Sequence, residues 1–445
     1  MFLSIVLVDW PSVQEYRIGH HVGDEVEVME TIENLKERVA YEKSREGYPE
    51  GFPHLPDLPA ERYISPEFYE LELKYLWQRS WLYAGHKDQF PQVGSFLAFD
   101  GVPGMPVIIV RTENGFNAFY NTCSHRGGCI VQERQGTCLG KRLVCGYHAW
   151  TYNLDGDLLG VPDSRDFDGL DKSKRGLVKL KCETWGGWIF INASNDAVPL
   201  QQYLGALPAQ IEQFDIDNLS YITSYSYDVA CNWKVLMDAF AENYHFVSVH
   251  RGSVGLPGPK CAVDHYGTVM SLFKNGHSRN ILPWNDGFQP AADVSEETGF
   301  SMGMGGIADI PSVGPIPRQF VTAFTAFPNL TTPVYSNGFP LLLFWPTGIN
   351  TSRFDVVWFG MPHGEEELPE AWKQKIEAFN FILDEDLTYL PSVQVSAESP
   401  AFKSIVLNYQ ERRIYHAHEQ IDRVIGPEHI PERLRAQQVL APFVE

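Results

Sequence analysis

Apolar and polar positions change rhythm several times along the chain. Residues 29–46, METIENLKERVAYEKSRE, are charged almost throughout and predict a surface helix. Residues 66–81, PEFYELELKYLWQRSW, are amphipathic and open on Pro66, a favoured first-turn residue, so they predict a second helix. From about 90 to 192 the rhythm shortens. PVIIVR, the turn TENG and FNAFYN read as a hairpin, LVCGYHAWTYNLDGDLL repeats the pattern, and WGGWIFIN adds a strand behind a glycine pair. A small all-β domain is expected there. A helix is expected at 199–214, strands at LSYITSYSYDVA, and a strong helix at CNWKVLMDAFAENYHF. Two Gly/Pro-rich stretches, 252–260 and 299–317, are either lids over a site or surface loops. FVTAFTAF, GFPLLLFWPTG and FDVVWFGMP read as strands, and a helix over 366–390 closes the core. No internal repeat is found.

The length of 445 residues exceeds what one core needs, so two domains are expected. A formal net charge of -21 argues against nucleic acid and anionic membranes as partners. The opening MFLSIVLVDW carries an apolar run that stops at Asp9, with no basic residue before it and no cleavage site after it; it reads as a strand or a loose terminus. No stretch reaches membrane-spanning length, and a cytoplasmic home is expected. Seven cysteines without a signal segment do not suggest a disulfide scaffold. Four of them, Cys123, Cys129, Cys138 and Cys145, crowd into one short interval, which points to metal chemistry.

That interval begins with Cys-x-His (Cys123, His125) and ends with Cys-x-x-His (Cys145, His148). Thiolates and imidazoles together hold zinc or an iron–sulfur cluster. Alternating Cys/His pairs on two loops suit a 2Fe–2S cluster with two sulfurs on one iron and two imidazoles on the other. NTCSHRGG with CGYHAWTYNLDG resembles the Rieske motif, in the form found in Rieske non-haem iron ring-hydroxylating oxygenases. The resemblance implies that Cys123, His125, Cys145 and His148 hold a 2Fe–2S cluster. The interval from His125 to Cys145 is longer than the family usually has, so Cys129 and Cys138 are expected to be unpaired residues of an insert.

A second constellation lies in NWKVLMDAFAENYHFVSVH, 232–250. The helix expected there is apolar around most of its circumference, yet Asp238, Glu242 and His245 recur at i, i+4 and i+7 as one polar stripe. Buried carboxylates and imidazoles are unfavourable unless paired or bound to metal. His250 follows five residues after His245, a spacing that brings both rings to one ion only if the helix ends or bulges between them. In KIEAFNFILDEDLTYL, Asp386 alone of Asp384, Glu385 and Asp386 sits on the apolar face. Two histidines and a carboxylate make the facial triad of oxygen-activating Fe(II) enzymes.

The same family carries a similar NWK and His-x4-His signature and a late acidic ligand. The resemblance, over roughly 60–420, implies mononuclear Fe(II) on His245, His250 and Asp386, with Glu242 linking cluster and iron and Asp238 a polar residue facing the pocket near the iron. It implies an α+β fold: a small all-β Rieske domain at 86–192 and a larger catalytic domain at 193–430, an antiparallel sheet wrapped by helices in helix-grip fashion. An extension at 1–60, a packing helix at 61–85 and a tail at 431–445 complete the division. Phe240, Ala241, Phe324, Phe344 and Trp358 are the expected pocket lining, for an aromatic or alicyclic hydrophobic substrate. The implied activity is that of a terminal oxygenase using O2, fed by a reductase or ferredoxin. A head-to-tail homotrimer, or an alpha3beta3 assembly, would set Glu242 between His148 of one chain and His245 of the next. Mono- and cis-dihydroxylation both remain open, as does oxidative demethylation on the same scaffold. An electron carrier or redox sensor using only the cluster, and a zinc-stabilised carrier of hydrophobic ligands, are the rival readings.

Overall fold

The computed structural model describes residues 31–255, 262–285, 301–364 and 367–445, with backbone strand segments alone before residue 31. Parts of both Gly/Pro-rich stretches, 256–260 and 299–300, lie outside the described residues, as do Met1–Ile5 and Cys261. The strand reading of the N-terminal segment corresponds to Val6–Trp10, paired with Val13–Arg17.

Helix α1 (Ile32–Ser44) is capped by the Thr31 side chain and buries only Leu35 and Val39. Helix α2 (Pro66–Leu71) starts on Ser65, whose hydroxyl accepts the Phe68 N–H, and runs through a π turn at Glu72–Leu76 to Arg79. That turn places Glu72 inside the molecule. Glu72 forms a 2.7 Å ion pair with Lys234, both side chains fully buried, and accepts the Trp233 indole N–H at 3.2 Å. Removing one partner strands the other charge, so Glu72→Ala is expected to destabilise the fold by about 3–5 kcal/mol. A denaturant midpoint that does not move would refute the pairing's importance. The double replacement Glu72→Leu with Lys234→Met should recover most of the loss.

Ten strands build the first β region: β1 (Leu82–His86), β2 (Ser95–Phe99), β3 (Val107–Thr112), β4 (Gly115–Tyr120), β5 (Gln135–Thr137), β6 (Leu143–Val144), β7 (Thr151–Tyr152), β8 (Leu158–Gly160), β9 (Lys179–Trp185) and β10 (Trp188–Asn192). Seven form one sheet, in the order β5-β2-β3-β4-β9-β10-β1, and β6-β7-β8 form a second. The edge strand β1 already belongs to this sheet, a few residues before the expected boundary at 86. The long 126–144 interval is not loose: its strand β5 pairs with β2.

The helix expected at 199–214 is broken into α3 (Leu200–Leu204), α4 (Leu207–Ile211) and a 3-10 turn, with Gly205 between the first two. Seven antiparallel strands follow: β11 (Ser220–Val229), β12 (Val269–Leu272), β13 (Ser278–Pro283), β14 (Phe320–Ala326), β15 (Leu330–Val334), β16 (Phe339–Gly348) and β17 (Thr351–Gly360), ordered β11-β17-β16-β15-β14-β13-β12. Residues directly opposite across a sheet share a face. Tyr225, Val356, Leu342, Thr331, Thr325 and Ser278 therefore stand in one row on one face.

Four helices cover that face: α5 (Trp233–Ala239), α6 (Phe246–Val249), α7 (Glu370–Ala397) and α8 (Arg412–Ile425). Phe240 stacks on Phe344 and Phe354, Trp358 meets Phe379 of α7, and Arg413 of α8 reaches Ser278 and Thr325. The other face meets the first β region, where Phe99 packs edge-on against Trp345 and Arg353 pairs with Asp100. The final residues are packed rather than trailing: Leu434 and Leu440 are fully buried. No helix among the described residues is long and apolar enough to cross a membrane.

Candidate metal centres

Two loops present the Cys/His residues, and their backbones close alike. The Cys123 N–H donates to Gly128 O at 2.8 Å and the Gly127 N–H to Cys123 O at 3.0 Å; the Cys145 N–H donates to Trp150 O at 2.9 Å and the Ala149 N–H to Cys145 O at 3.0 Å. The fifth residue of each loop is left-handed, Gly127 at φ 74° and Ala149 at φ 55°. Glycine takes that geometry freely and alanine only under strain from the surrounding bonds. The outcome is an asymmetric rim. Cys123 and Cys145 are buried, while His125 and His148 are half-buried with ring centroids 4.7 Å apart. Trp150 stacks flat on His125 at 4.9 Å, and the Tyr152 hydroxyl lies 3.1 Å from Cys123 Sγ. Buried sulfurs with imidazoles at the surface fit a two-iron cluster of mixed ligation. Cys129 and Cys138 are free thiols, and burial pushes Cys138 up to about 11.

The second group forms where the expected helix over 231–246 stops. Helix α5 begins on Asn232, whose side chain accepts the Lys234 N–H, but ends at Ala239, seven residues short. The Ala241 N–H turns back to Asp238 O at 3.0 Å, and Glu242 accepts the amides of Tyr244 and His245 in the turn that leads into a new single turn of helix, α6. His245 and His250 flank that turn at its two ends. The break thus falls before His245 rather than between the histidines, and no single helical stripe joins Asp238, Glu242 and His245.

His245 Nε2 lies 3.2 Å from His250 Nε2, and Asp386 Oδ1 lies 3.4 and 3.3 Å from them. Donors about 2.1 Å from one first-row ion would sit about 3.0–3.4 Å apart, so this triangle fits such an ion. Among the described residues these three form the group that converges on a single ion. The far ring nitrogens are also engaged. Glu242 holds His245 Nδ1, and Glu385 accepts the His250 Nδ1–H at 3.1 Å while gripping the Gly252 amide at 2.9 Å and the Ser253 hydroxyl. Both rings are thereby turned to present Nε2 inward. Burial disfavours a charged His245, but Asp386 and Glu242 outweigh it and raise its pKa to about 10. A divalent cation at the centre would take the place of that proton.

Other expected site residues fall elsewhere. Asp238 does not face the triad: its Oδ2 accepts the Tyr63 hydroxyl and the His418 Nε2–H at 3.2 Å, and Arg62 donates to His418 Nδ1 at 3.0 Å. Phe324 opposes Thr332 and Arg279, on the sheet face away from α5 and α7, because it lies one residue out of phase with Thr325. Ala241 packs among Leu272, Ile414 and Tyr415, under α8. Trp358 is closed in by Trp372 and Phe379 as core. Of the five expected lining residues, Phe240 and Phe344 share the triad's side and stack together. Glu385 is absent from the expected set, although it stands beside Asp386; its partners His250, Gly252 and Ser253 come from the turn after α6, and local spacing does not announce them.

Comparison with known proteins follows the same division. The Rieske [2Fe-2S] domain model matches residues 80–179, and the model of the ring hydroxylating alpha subunit catalytic domain matches 216–427. The chain is 32% identical over 200 residues to the glycine betaine monooxygenase oxygenase subunit of Pseudomonas aeruginosa strain UCBPP-PA14, covering 44% of this chain and 45% of that protein. It is 33% identical over 190 residues to the biphenyl 2,3-dioxygenase subunit alpha of Rhodococcus jostii strain RHA1, covering 41% of each. In these matches the chain spans under half the length of its curated relatives. Two solved structures share the fold. The quaternary ammonium Rieske monooxygenase CntA with L-carnitine has TM-score 0.66 and 23% identity over 85% of this chain and 98% of that one. Naphthalene 1,2-dioxygenase from Rhodococcus sp. bound to indole has TM-score 0.67 and 20% identity over 89% of this chain and 98% of that one. With both domain models matched in order along one polypeptide, the chain belongs to the Rieske non-haem iron ring-hydroxylating oxygenases, as an alpha subunit with a [2Fe–2S] domain and a mononuclear-iron catalytic domain.

Proposed function

We propose that this chain is a terminal oxygenase component that oxygenates an organic substrate with O2, using electrons from a partner reductase or ferredoxin. One observation carries the reading: a three-donor triangle of His245, His250 and Asp386, each histidine backed by its own carboxylate, shares a chain with a buried-sulfur, surface-imidazole Cys/His site. When bound, the cluster on Cys123, His125, Cys145 and His148 supplies single electrons and the ferrous ion on the triad supplies dioxygen activation.

The chain's own contribution is placement. Glu242 and Glu385 fix the two imidazoles, and α7 brings Asp386 to them from 136 positions downstream of His250 on a rigid helix. Phe240, Phe344 and Phe354 provide an apolar surface that excludes water beside α6. At the other site His125 and His148 remain half-buried, beside Tyr147 at 61% exposure, which suits docking of an electron donor or a neighbouring chain. A closed ring of three chains would bring this rim to the Glu242 edge of the next one. Tyr244, 60% exposed beside Glu242, supports that edge as a contact surface.

Anaerobically loaded protein should hold about three irons per chain and show substrate-stimulated O2 uptake with a surrogate reductase. About two irons and no uptake would instead favour a cluster-only electron carrier.

A further inference from the structure

The helix-covered face of the catalytic sheet is apolar beside Phe240, Phe344 and Phe354 but turns polar on its far strands. Ser278 and Asn280 of β13 and Thr325 of β14 share that face. Arg413, in the first turn of α8, reaches down to it: Nε–H donates to Ser278 Oγ at 2.9 Å and Nη2–H to Thr325 Oγ1 at 2.6 Å. Its side chain is 2% exposed. A guanidinium has five N–H donors. Among the described residues no acceptor takes the other three, and no carboxylate lies within ion-pair distance. Burial pushes Arg413 down to about 9, so it keeps its charge at neutral pH. The carboxylate whose field it feels is Glu242, already committed to His245 and to the amides of residues 244 and 245. Asn280, also 2% exposed, stands two residues along the same strand face; its Oδ1 is buried and accepts nothing among the described residues, and its Nδ2 has room left to donate. A buried cation with unfilled donors, beside an amide without a partner, is unfavourable until something else supplies an acceptor for the guanidinium.

We propose that Arg413 and Asn280 form an anion subsite on the helix-covered face of the catalytic sheet, and that the substrate of this chain bears a carboxylate. The guanidinium edge left open by Ser278 and Thr325 can hold a carboxylate through two parallel hydrogen bonds, and Asn280 adds a third donor. The apolar part of the same sheet face takes the carbon skeleton and leaves its distal atoms toward the triad. This assignment rests on the oxygenase reading and narrows its substrate class.

Calorimetric titration of the iron-loaded chain with 4-methylbenzoate, cyclohexanecarboxylate and glycine betaine, each beside its neutral amide, tests it. At least one carboxylate should bind about tenfold or more tightly than its amide. Arg413→Gln should erase that preference, Arg413→Lys should keep part of it, and Asn280→Ala should weaken carboxylate binding about threefold without touching the amide. Iron content and the reduced-cluster spectrum of each variant should match the parent. The proposal is overturned if the parent binds no carboxylate better than its amide, or if Arg413→Gln or, should that variant not fold, Asn280→Ala leaves the preference intact. A parent lacking iron at the triad would fail the oxygenase reading alone, since the anion preference is read without turnover.

Discussion

Asp386→Ala is expected to abolish substrate-dependent oxygen uptake, by about a thousandfold or more, while leaving the spectrum of the reduced [2Fe–2S] site unchanged. Asp386 supplies the third corner of the triangle, with Oδ1 at 3.3–3.4 Å from both Nε2 atoms. Its carboxyl is held low despite burial, because the two imidazoles favour its charged form. Without it, two imidazoles face each other with no coordinating carboxylate to balance a divalent ion, and the loss should exceed the 10–100-fold typical of removing an outer support. The Cys/His site lies on two loops of the first β region, one after β4 and one between β6 and β7, away from α7, so its colour should survive. Iron analysis should fall from about three to about two per chain. Parent-like activity in this variant would show that another group, Glu385 being adjacent, is the third ligand.

Glu242→Gln is expected to keep both metal sites yet lose turnover by about a hundredfold or more. Glutamine preserves the length of the side chain and can still accept a hydrogen bond from His245 Nδ1, so the imidazole stays oriented. What disappears is the negative charge between His245 and the exposed edge marked by Tyr244. In a mixed experiment, prereduced Glu242→Gln protein with substrate should reoxidise its cluster slowly on exposure to O2, whereas Glu242→Asp should recover much of the parent rate. Rapid reoxidation in the glutamine variant would remove Glu242 from the path between the centres and reduce it to a support for His245. The two variants separate two roles: the first changes iron content, the second changes only the communication of sites that are both filled.

Much of this architecture is legible in the sequence. The CxH and CxxH pairs announced a mixed-ligand cluster because sulfur and imidazole donors at that spacing have few other uses. The phase of KIEAFNFILDEDLTYL placed Asp386 on the buried face, which is how the structure has it. The strands at 320–326, 339–348 and 351–360 were plain from their apolar runs. The pocket was much less legible. Phe324 and Thr325 are neighbours in sequence, but the strand's period of two sends them to opposite faces, and only the pairing with β13 and β15 tells which one meets the helices. The strong helical pattern of 231–246 hides a break at Ala239, since helix propensity cannot foresee a glutamate that takes the amides of Tyr244 and His245 with its own side chain.

Sequence alone brought out the two candidate sets of donors, because residue type and the phase of a residue within its own helix or motif are local properties. Tertiary structure decided everything that depends on partners distant along the chain. It joined Glu385 to His250, turned Asp238 toward Tyr63 and His418 instead of the triad, and set Arg413 over Ser278 and Thr325. The physical reason is that a buried polar side chain must find hydrogen-bond partners wherever packing puts them, and packing is settled by all the elements together, not by the local run in which the residue is read.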